Sequence, residues 1–373
     1  MNRSTTVAAV VIGRNEGARL RRCLTSLQGQ VARIVYVDSG STDDSVSFAR
    51  SIGAIVVELD TSLPFTAARG RNAGFFALRE AGLPDYVQFV DGDCGVEPGW
   101  IAHGQALLDA RPEIGIITGW RTEITPETSV YNALAEVEWH RPAGDIRSCG
   151  GDMMVRSAAF SAVRGFDPRI IASEDEEFCL RVRATGLRVH RLPLVMTHHD
   201  ANMTRFSEWW RRTVRSGHGF AEVGRLQPDH FVPERRRVWF YGGVVPLIAL
   251  AGVLTGRWLL LLVALGIWGL NWLRTWQGLT GNGQPAVQAA HHAAYLTLSK
   301  IPNMQGMLTF YLRRLKGADM QIIEYKGAEA TGQSELRVGL IGAGYIATWH
   351  ADALRATPGV RVAAVCDTTL GAA

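Results

Sequence analysis

From residue 7 to residue 90, short runs rich in valine and isoleucine alternate with segments whose apolar residues recur at helical spacing. This alternation restricts the chain to an α/β class with a largely parallel sheet. Val7-Ala8-Ala9-Val10-Val11-Ile12 predicts a buried strand, and residues 16–27 predict a helix through Leu20, Cys23, Leu24 and Leu27. Further strands are expected at 34–37, 54–59 and 86–90, with helices near 44–52 and over 66–81. Ligands of such sheets bind at the carboxyl ends of the strands. Asp38, Asp91 and Asp93 all fall at those ends.

Asp91 and Asp93 flank a single glycine at the end of the run Tyr86-Val87-Gln88-Phe89-Val90. Alternate strand residues point to one face, so the two carboxylates are expected to share one hard cation, with Gly92 admitting a phosphate. A cation there would offset the charge of a departing diphosphate. An Asp-Gly turn after a strand is the other reading of the same residues.

With 47% hydrophobic and 20% charged residues in 373, the chain is expected to be ordered and to hold two or three domains. A formal charge of +4 without a long basic tail leaves no nucleic-acid footprint, although arginines crowd residues 205–237. Five scattered cysteines without C-x-x-C spacing suggest neither a disulfide framework nor a zinc site, and a reducing compartment fits them. Residues 1–13 are too weakly apolar for a signal peptide, so the first domain is expected in the cytoplasm.

Residues 238–272 are nearly all apolar, broken by Thr255-Gly256-Arg257. Each half is short of the roughly 20 residues that span a bilayer comfortably. An arginine at a helix centre costs about 2.5–3.5 kcal/mol on insertion scales, so a two-helix hairpin is expected. Arg235-Arg236-Arg237 and Arg274 place both ends on the cytoplasmic side, with Arg257 at the far interface. Trp239, Tyr241, Trp258, Trp268, Trp272 and Trp276 are expected as interfacial anchors; a pair of buried core helices is the alternative. Residues 290–316 mix apolar and basic positions, as a segment lying on the membrane surface, packing under the first domain or presenting a solvated face would.

Gly13-Arg14-Asn15-Glu16, Asp38, Asp91-Gly92-Asp93 and Ser173-Glu174-Asp175-Glu176-Glu177, in that order, resemble the family 2 glycosyltransferases with a GT-A nucleotide-diphospho-sugar transferase fold. The resemblance covers roughly residues 5–200. It implies that Asp38 accepts hydrogen bonds from a nucleotide base, helped by Glu16 on the donor side, although a helix-capping turn also explains Asp38. Arg71, in Arg69-Gly70-Arg71-Asn72-Ala73-Gly74, would meet a phosphate through its fork of donors. Asp91 and Asp93 would hold Mg²⁺ or Mn²⁺ against the diphosphate. Asp175, beside Glu174, matches the family's catalytic base, and clustered carboxylates raise one another's pKa. An acidic first helical turn explains the same residues. Direct attack opposite the diphosphate would invert the anomeric centre. Asp152 stands on the acceptor side, where the family more often has asparagine or a small residue. Trp209 and Arg212 suit membrane docking or an acceptor phosphate equally. His198-His199-Asp200 is read either as a late metal or phosphate contact or as local structure. The Q-x-x-R-W motif of processive synthases is absent around Trp210, so transfer of one sugar is expected.

Gly342, Gly344 and Ala347 form G-x-G-x-x-A between expected strands at 338–341 and 362–365, and Asp367 follows twenty residues after Ala347. The segment resembles the start of the glucose-fructose oxidoreductase and inositol dehydrogenase family. NAD(P) would bind only if that domain were complete; one β-α-β unit cannot enclose it, so the chain is expected to be the front part of a longer fusion or an imperfect gene product.

The expected organisation is a GT-A catalytic domain at 1–235, a membrane hairpin at 236–276, an amphipathic segment at 277–326, a linker at 327–335 and an incomplete Rossmann unit at 336–373. The expected activity is transfer of one sugar from a nucleotide-diphosphate sugar to a lipid-linked or polysaccharide-precursor acceptor. A fused NAD-dependent sugar dehydrogenase and a non-catalytic membrane scaffold are the competing readings.

Overall fold

A computed structural model describes residues 5–63 and 65–317, together with the backbone of the strands Leu336–Ile341 and Val360–Cys366. The strands of the first unit are β1 (Val7–Gly13), β2 (Arg33–Asp38), β3 (Ile55–Glu58), β4 (Tyr86–Asp91), β5 (Cys94–Val96), β6 (Ile114–Glu123), β7 (Gly144–Ile146), β8 (Met153–Arg156) and β9 (Arg188–His199). They form one sheet in the order β3-β2-β1-β4-β8-β6-β9-β5, with β7 paired to β9. From β3 to β4 every pairing is parallel, as the alternating pattern predicts. Beyond β4 the sheet is mixed, which corrects the largely parallel expectation: β8 runs antiparallel to both β4 and β6, and β5 antiparallel to β9.

Both faces of β1 are buried, Val7, Ala9 and Val11 in one core and Ala8 and Val10 in the other, so the strand reads as a continuous apolar run. The helix Ala67–Glu80 lies on the second face, capped by the Thr66 hydroxyl accepting from the Arg69 amide. Its Gly74 sits so close to β1 that a Cβ there would stand 2.3 Å from Val10 Cγ1. That proximity delivers Arg71 to the carboxyl edge of the sheet. In register, Ile12 pairs with Val37 and Asp91, so Asp38 and Asp91 end the strands on either side of β1.

Two helices, Val232–Leu254 and Trp258–Gly281, are long and apolar enough to cross a membrane, at 23 and 24 residues. They extend past both ends of the apolar run at 238–272, which corrects the expectation of short halves and crosses the anticipated boundaries at 235 and 276. At 1.5 Å per residue each reaches about 35 Å. Arg257 lies in the turn between them, as expected. The first helix widens to π geometry over Val238–Val244, where the Val245 amide bonds to Phe240 O. Pro246 follows this segment; it has no amide to donate, and its ring crowds the carbonyl four residues back, so the wider turn relieves the clash. Trp268, Trp272 and Trp276 are not free anchors. Their indole N–H groups donate to the carbonyls of Tyr241, Ala290 and Ala286. They pack the hairpin against its own neighbours, notably the helix Ala286–Leu298.

Residues 290–316 form the second half of that helix and the helix Lys300–Leu315. The latter packs on the helix Phe206–Leu226 so closely that a Cβ on Gly306 would stand 2.0 Å from Val214 O. In the second unit, Leu336–Ile341 and Val360–Cys366 pair in parallel. The linker 327–335 and Gly342, Gly344, Ala347 and Asp367 lie outside the described residues.

Candidate active site

Glu16, Asp38, Arg71, Asp91, Asp93, Glu174 and Asp175 gather at the carboxyl edge of β1, β2 and β4. Asp38 is buried, and both of its oxygens already have protein donors. The amides of Gly40 and Ser41 bond to Oδ2 and the Tyr36 hydroxyl to Oδ1. Its geometry is that of a turn-holding carboxylate, so a base could share only the remaining capacity of Oδ1. Glu16 pairs with Arg19 at 2.8 Å.

Arg71 departs from its sequence reading. Its guanidinium is buried between two acids, donating to Glu174 Oε1 at 2.6 Å and Asp91 Oδ1 at 2.8 Å. It organises carboxylates rather than standing open to a phosphate. Gly151 makes this possible, since a Cβ there would stand 1.9 Å from Arg71 Nη2.

β4 ends at Asp91 and the chain turns before β5, and the carboxylates of Asp91 and Asp93 meet different protein partners. Asp91 faces Arg71 and, at 3.6 Å, Arg121 Nη2. Burial raises the Asp91 pKa, and the two arginines oppose that shift. Gly92 is needed by the backbone itself: a Cβ would stand 3.1 Å from Ile12 O and 3.4 Å from Glu16 Cγ.

Asp93 instead meets His199. Antiparallel pairing sets Cys94 opposite His199, and His199 Nε2 lies 3.2 Å from Asp93 Oδ2. Among the described residues, Asp93, Cys94 and His199 present ligand atoms within 4.8 Å of one another. Burial works against a charged His199, but Asp93 and Glu123 together outweigh it and raise the imidazole pKa. Burial, then the charges of Asp152 and Asp93, hold Cys94 as a thiol. Glu123 Oε2 lies 3.7 Å from His199 Nδ1, and Trp139 meets the imidazole edge to face at 4.7 Å.

Asp152 is a structural hub rather than an acceptor contact. It accepts from the Asp91 amide, Arg121 Nε and the Thr197 hydroxyl and is 1% exposed. Burial would raise its pKa, yet Arg121 and the Asp91 amide hold it below the usual value.

Glu174 and Asp175 open the helix Glu174–Ala184, whose first turn is entirely acidic. Ser173 before it sits at φ 62, outside the region most side chains favour, and Asn72 holds the preceding loop through both the amide and carbonyl of Phe166. The two acids are driven apart. Burial is outweighed by Arg71 and Arg215 at Glu174, which stays below its usual pKa. Asp175, partly exposed, is pushed up to about 7 by burial first and the Glu174 charge second, against Arg71. Trp209 is buried among Tyr131, Phe206, Trp210 and Tyr295, so its acceptor-side reading is withdrawn in favour of packing. Arg212 pairs with Glu138 at 3.0 Å.

Sequence reasoning missed Arg121 and Glu123 and left His199 undecided. No local motif marks them, because β6 and β9 bring them in from far along the chain.

A mixed sheet with a parallel half, carboxylates at its edge and an acidic helix across the cleft is the α/β architecture of GT-A glycosyltransferases. Residues 8–164 match the family described as Glycosyl transferase family 2. The pre-mycofactocin glycosyltransferase of Mycobacterium tuberculosis is 27% identical over 247 residues, covering 61% of this chain and 49% of that protein. The chain thus spans about half the length of that relative. An uncharacterized glycosyltransferase of Rickettsia felis is 41% identical over 51 residues, 14% of this chain and 18% of its own. A mannosyltransferase of Pyrobaculum calidifontis, solved with GDP-Man and Mn²⁺, shares the fold at TM-score 0.51 and 17% identity, covering 84% of this chain and 88% of that one.

Proposed function

We propose that the chain is an inverting, metal-dependent glycosyltransferase that moves one sugar from a nucleotide-diphosphate donor to a lipid-linked or glycan acceptor at the cytoplasmic face of a membrane. The observation that carries this reading is the division of labour between Glu174 and Asp175. Arg71 keeps Glu174 ionised, and burial first and the Glu174 charge second raise Asp175 toward neutrality, where a general base works best.

Asp175 removes the proton of the acceptor hydroxyl as its oxygen attacks the anomeric carbon, and the bond to the diphosphate oxygen breaks on the opposite face. Asp93 and His199 fit a divalent cation as oxygen and nitrogen donors, and an imidazole in the set favours Mn²⁺ over Mg²⁺. Bound there, the cation would offset charge on the departing diphosphate. Arg121, beside Asp91, adds positive charge to the same edge. The complex of the Pyrobaculum calidifontis protein with GDP-Man and Mn²⁺ supports this choice of metal and makes a guanosine donor the first to test.

Membrane placement rests on the two long apolar helices, on the exposure of Leu247, Leu254, Leu259 and Leu262, and on Arg235-Arg236-Arg237 at the entrance. A panel of nucleotide sugars, beginning with GDP-mannose, tests the reading through release of nucleoside diphosphate with Mn²⁺ or with EDTA. Metal-dependent release from one donor is expected. Equal release with EDTA would remove the metal from the account, and silence across the panel would remove the transferase.

A further inference from the structure

The first turn of the helix Glu174–Ala184 is held from behind by the segment that leads into the first membrane-length helix. His230, with a side chain only 8% exposed, brings Nε2 to 2.7 Å from Glu176 Oε2, and the Ser148 hydroxyl donates to the same oxygen at 2.6 Å. Glu176 directly follows Asp175, and its amide donates to Asp175 Oδ1 at 2.8 Å. Its charge also helps raise Asp175. The imidazole therefore grips the residue that shapes both the backbone and the field of Asp175.

His230 is itself fixed by its turn. Its amide donates to Gln227 O at 2.9 Å, and its carbonyl accepts from Arg235 Nη2 at 3.3 Å. Phe231, at φ 55, redirects the chain, and the membrane-length helix begins at Val232. A second grip lies nearby: Glu222 Oε2 accepts from the Ile171 amide at 3.3 Å, and a Cβ on Gly219 would stand 2.4 Å from Ser173 Oγ. The catalytic turn is thus seated on the same helix, Phe206–Leu226, that the turn at His230 follows.

We infer that His230 is a positioning residue: its hydrogen bond to Glu176 holds Asp175 at the reacting hydroxyl and ties that placement to the start of the membrane hairpin. The inference rests on the reading of Asp175 as the general base. A static tether of this kind acts on turnover rather than on donor affinity, because misplacing a catalytic group by about 1 Å can cost 10²-fold in rate.

The test uses the full chain in lipid nanodiscs with Mn²⁺ and GDP-mannose, or whichever panel donor turns over fastest. His230→Ala is expected to lower kcat on the order of tenfold while donor KM stays within about twofold. His230→Gln, which restores an N–H at a similar reach, is expected to recover most of that loss. Glu176→Gln is expected to move the acid limb of the kcat profile to lower pH, since it removes one of the charges that raise Asp175. Wild-type kcat in His230→Ala, or equal losses in His230→Ala and His230→Gln, would overturn the inference. If His230→Ala does not fold, wild-type kcat in Glu176→Ala, which removes the other end of the same hydrogen bond, overturns it. Asp175→Asn separates the two ideas: full turnover in that variant removes the base itself, whereas a dead Asp175→Asn beside an unaffected His230→Ala removes only the tether.

Discussion

Arg71 sets the chemistry of the cleft without an open face toward a ligand. Its two nitrogens pair with Asp91 and Glu174, while the remaining carboxylate, Asp175, is pushed up to about 7 by burial first and the Glu174 charge second, against Arg71. The sign is direct. A base works only when deprotonated, so turnover should rise with pH up to about 7 and level off above it, while Asp175→Asn should lose about 10²–10⁴-fold on that plateau and less on the acid limb. Initial rates between pH 5 and 9 check this, and a flat profile would contradict it. Gly151→Ala offers an independent check on Arg71, because the new methyl would stand 1.9 Å from Nη2. It should lower stability by about 1–3 kcal/mol and reduce turnover as well. Thermal melts beside rates decide it, and an unchanged melting temperature would mean that Arg71 is not confined there.

At the scale of elements, the contact between the helices Phe206–Leu226 and Lys300–Leu315 depends on glycines. Gly217 faces Asn303 O and Gly306 faces Val214 O, each at 2.0 Å from an added Cβ. Gly306→Ala should therefore separate the pair and destabilise the unit by about 1–3 kcal/mol, read as a fall in denaturation midpoint. An unaltered midpoint would refute the close packing. The sequence announces the elements up to Asp91 because β1, β2 and β4 are buried on both faces and the helices between them carry one apolar stripe. After Asp91 the signal fails for a physical reason: β5, β7 and β8 are only three or four residues long, too short for any period. The site divides the same way. Asp38, Asp91, Asp93, Glu174 and Asp175 end strands or open a helix and are visible as motifs. Arg121 and Glu123 lie within β6, and the role of His199 depends on the pairing of β5 with β9, which no local spacing reveals.

At the scale of the molecule, a catalytic sheet, a helical base and two membrane-length helices form one unit, from Met1 to Lys326. The leucines at 247, 254, 259 and 262 are each more than 60% exposed, a surface that suits hydrocarbon better than water. Liposome flotation should carry the chain upward and keep it bound in high salt, whereas Leu247→Asp with Leu262→Asp should release it. Wild-type chain left in the dense fraction would count against membrane insertion. Sugar transfer from a nucleotide donor, measured across a Mn²⁺ titration, joins that placement to the chemistry of one cleft. Transfer that rises with Mn²⁺ in the wild type and is lost in both Asp93→Ala and Asp175→Asn is the predicted result; transfer that persists in either variant at the wild-type rate would contradict the account.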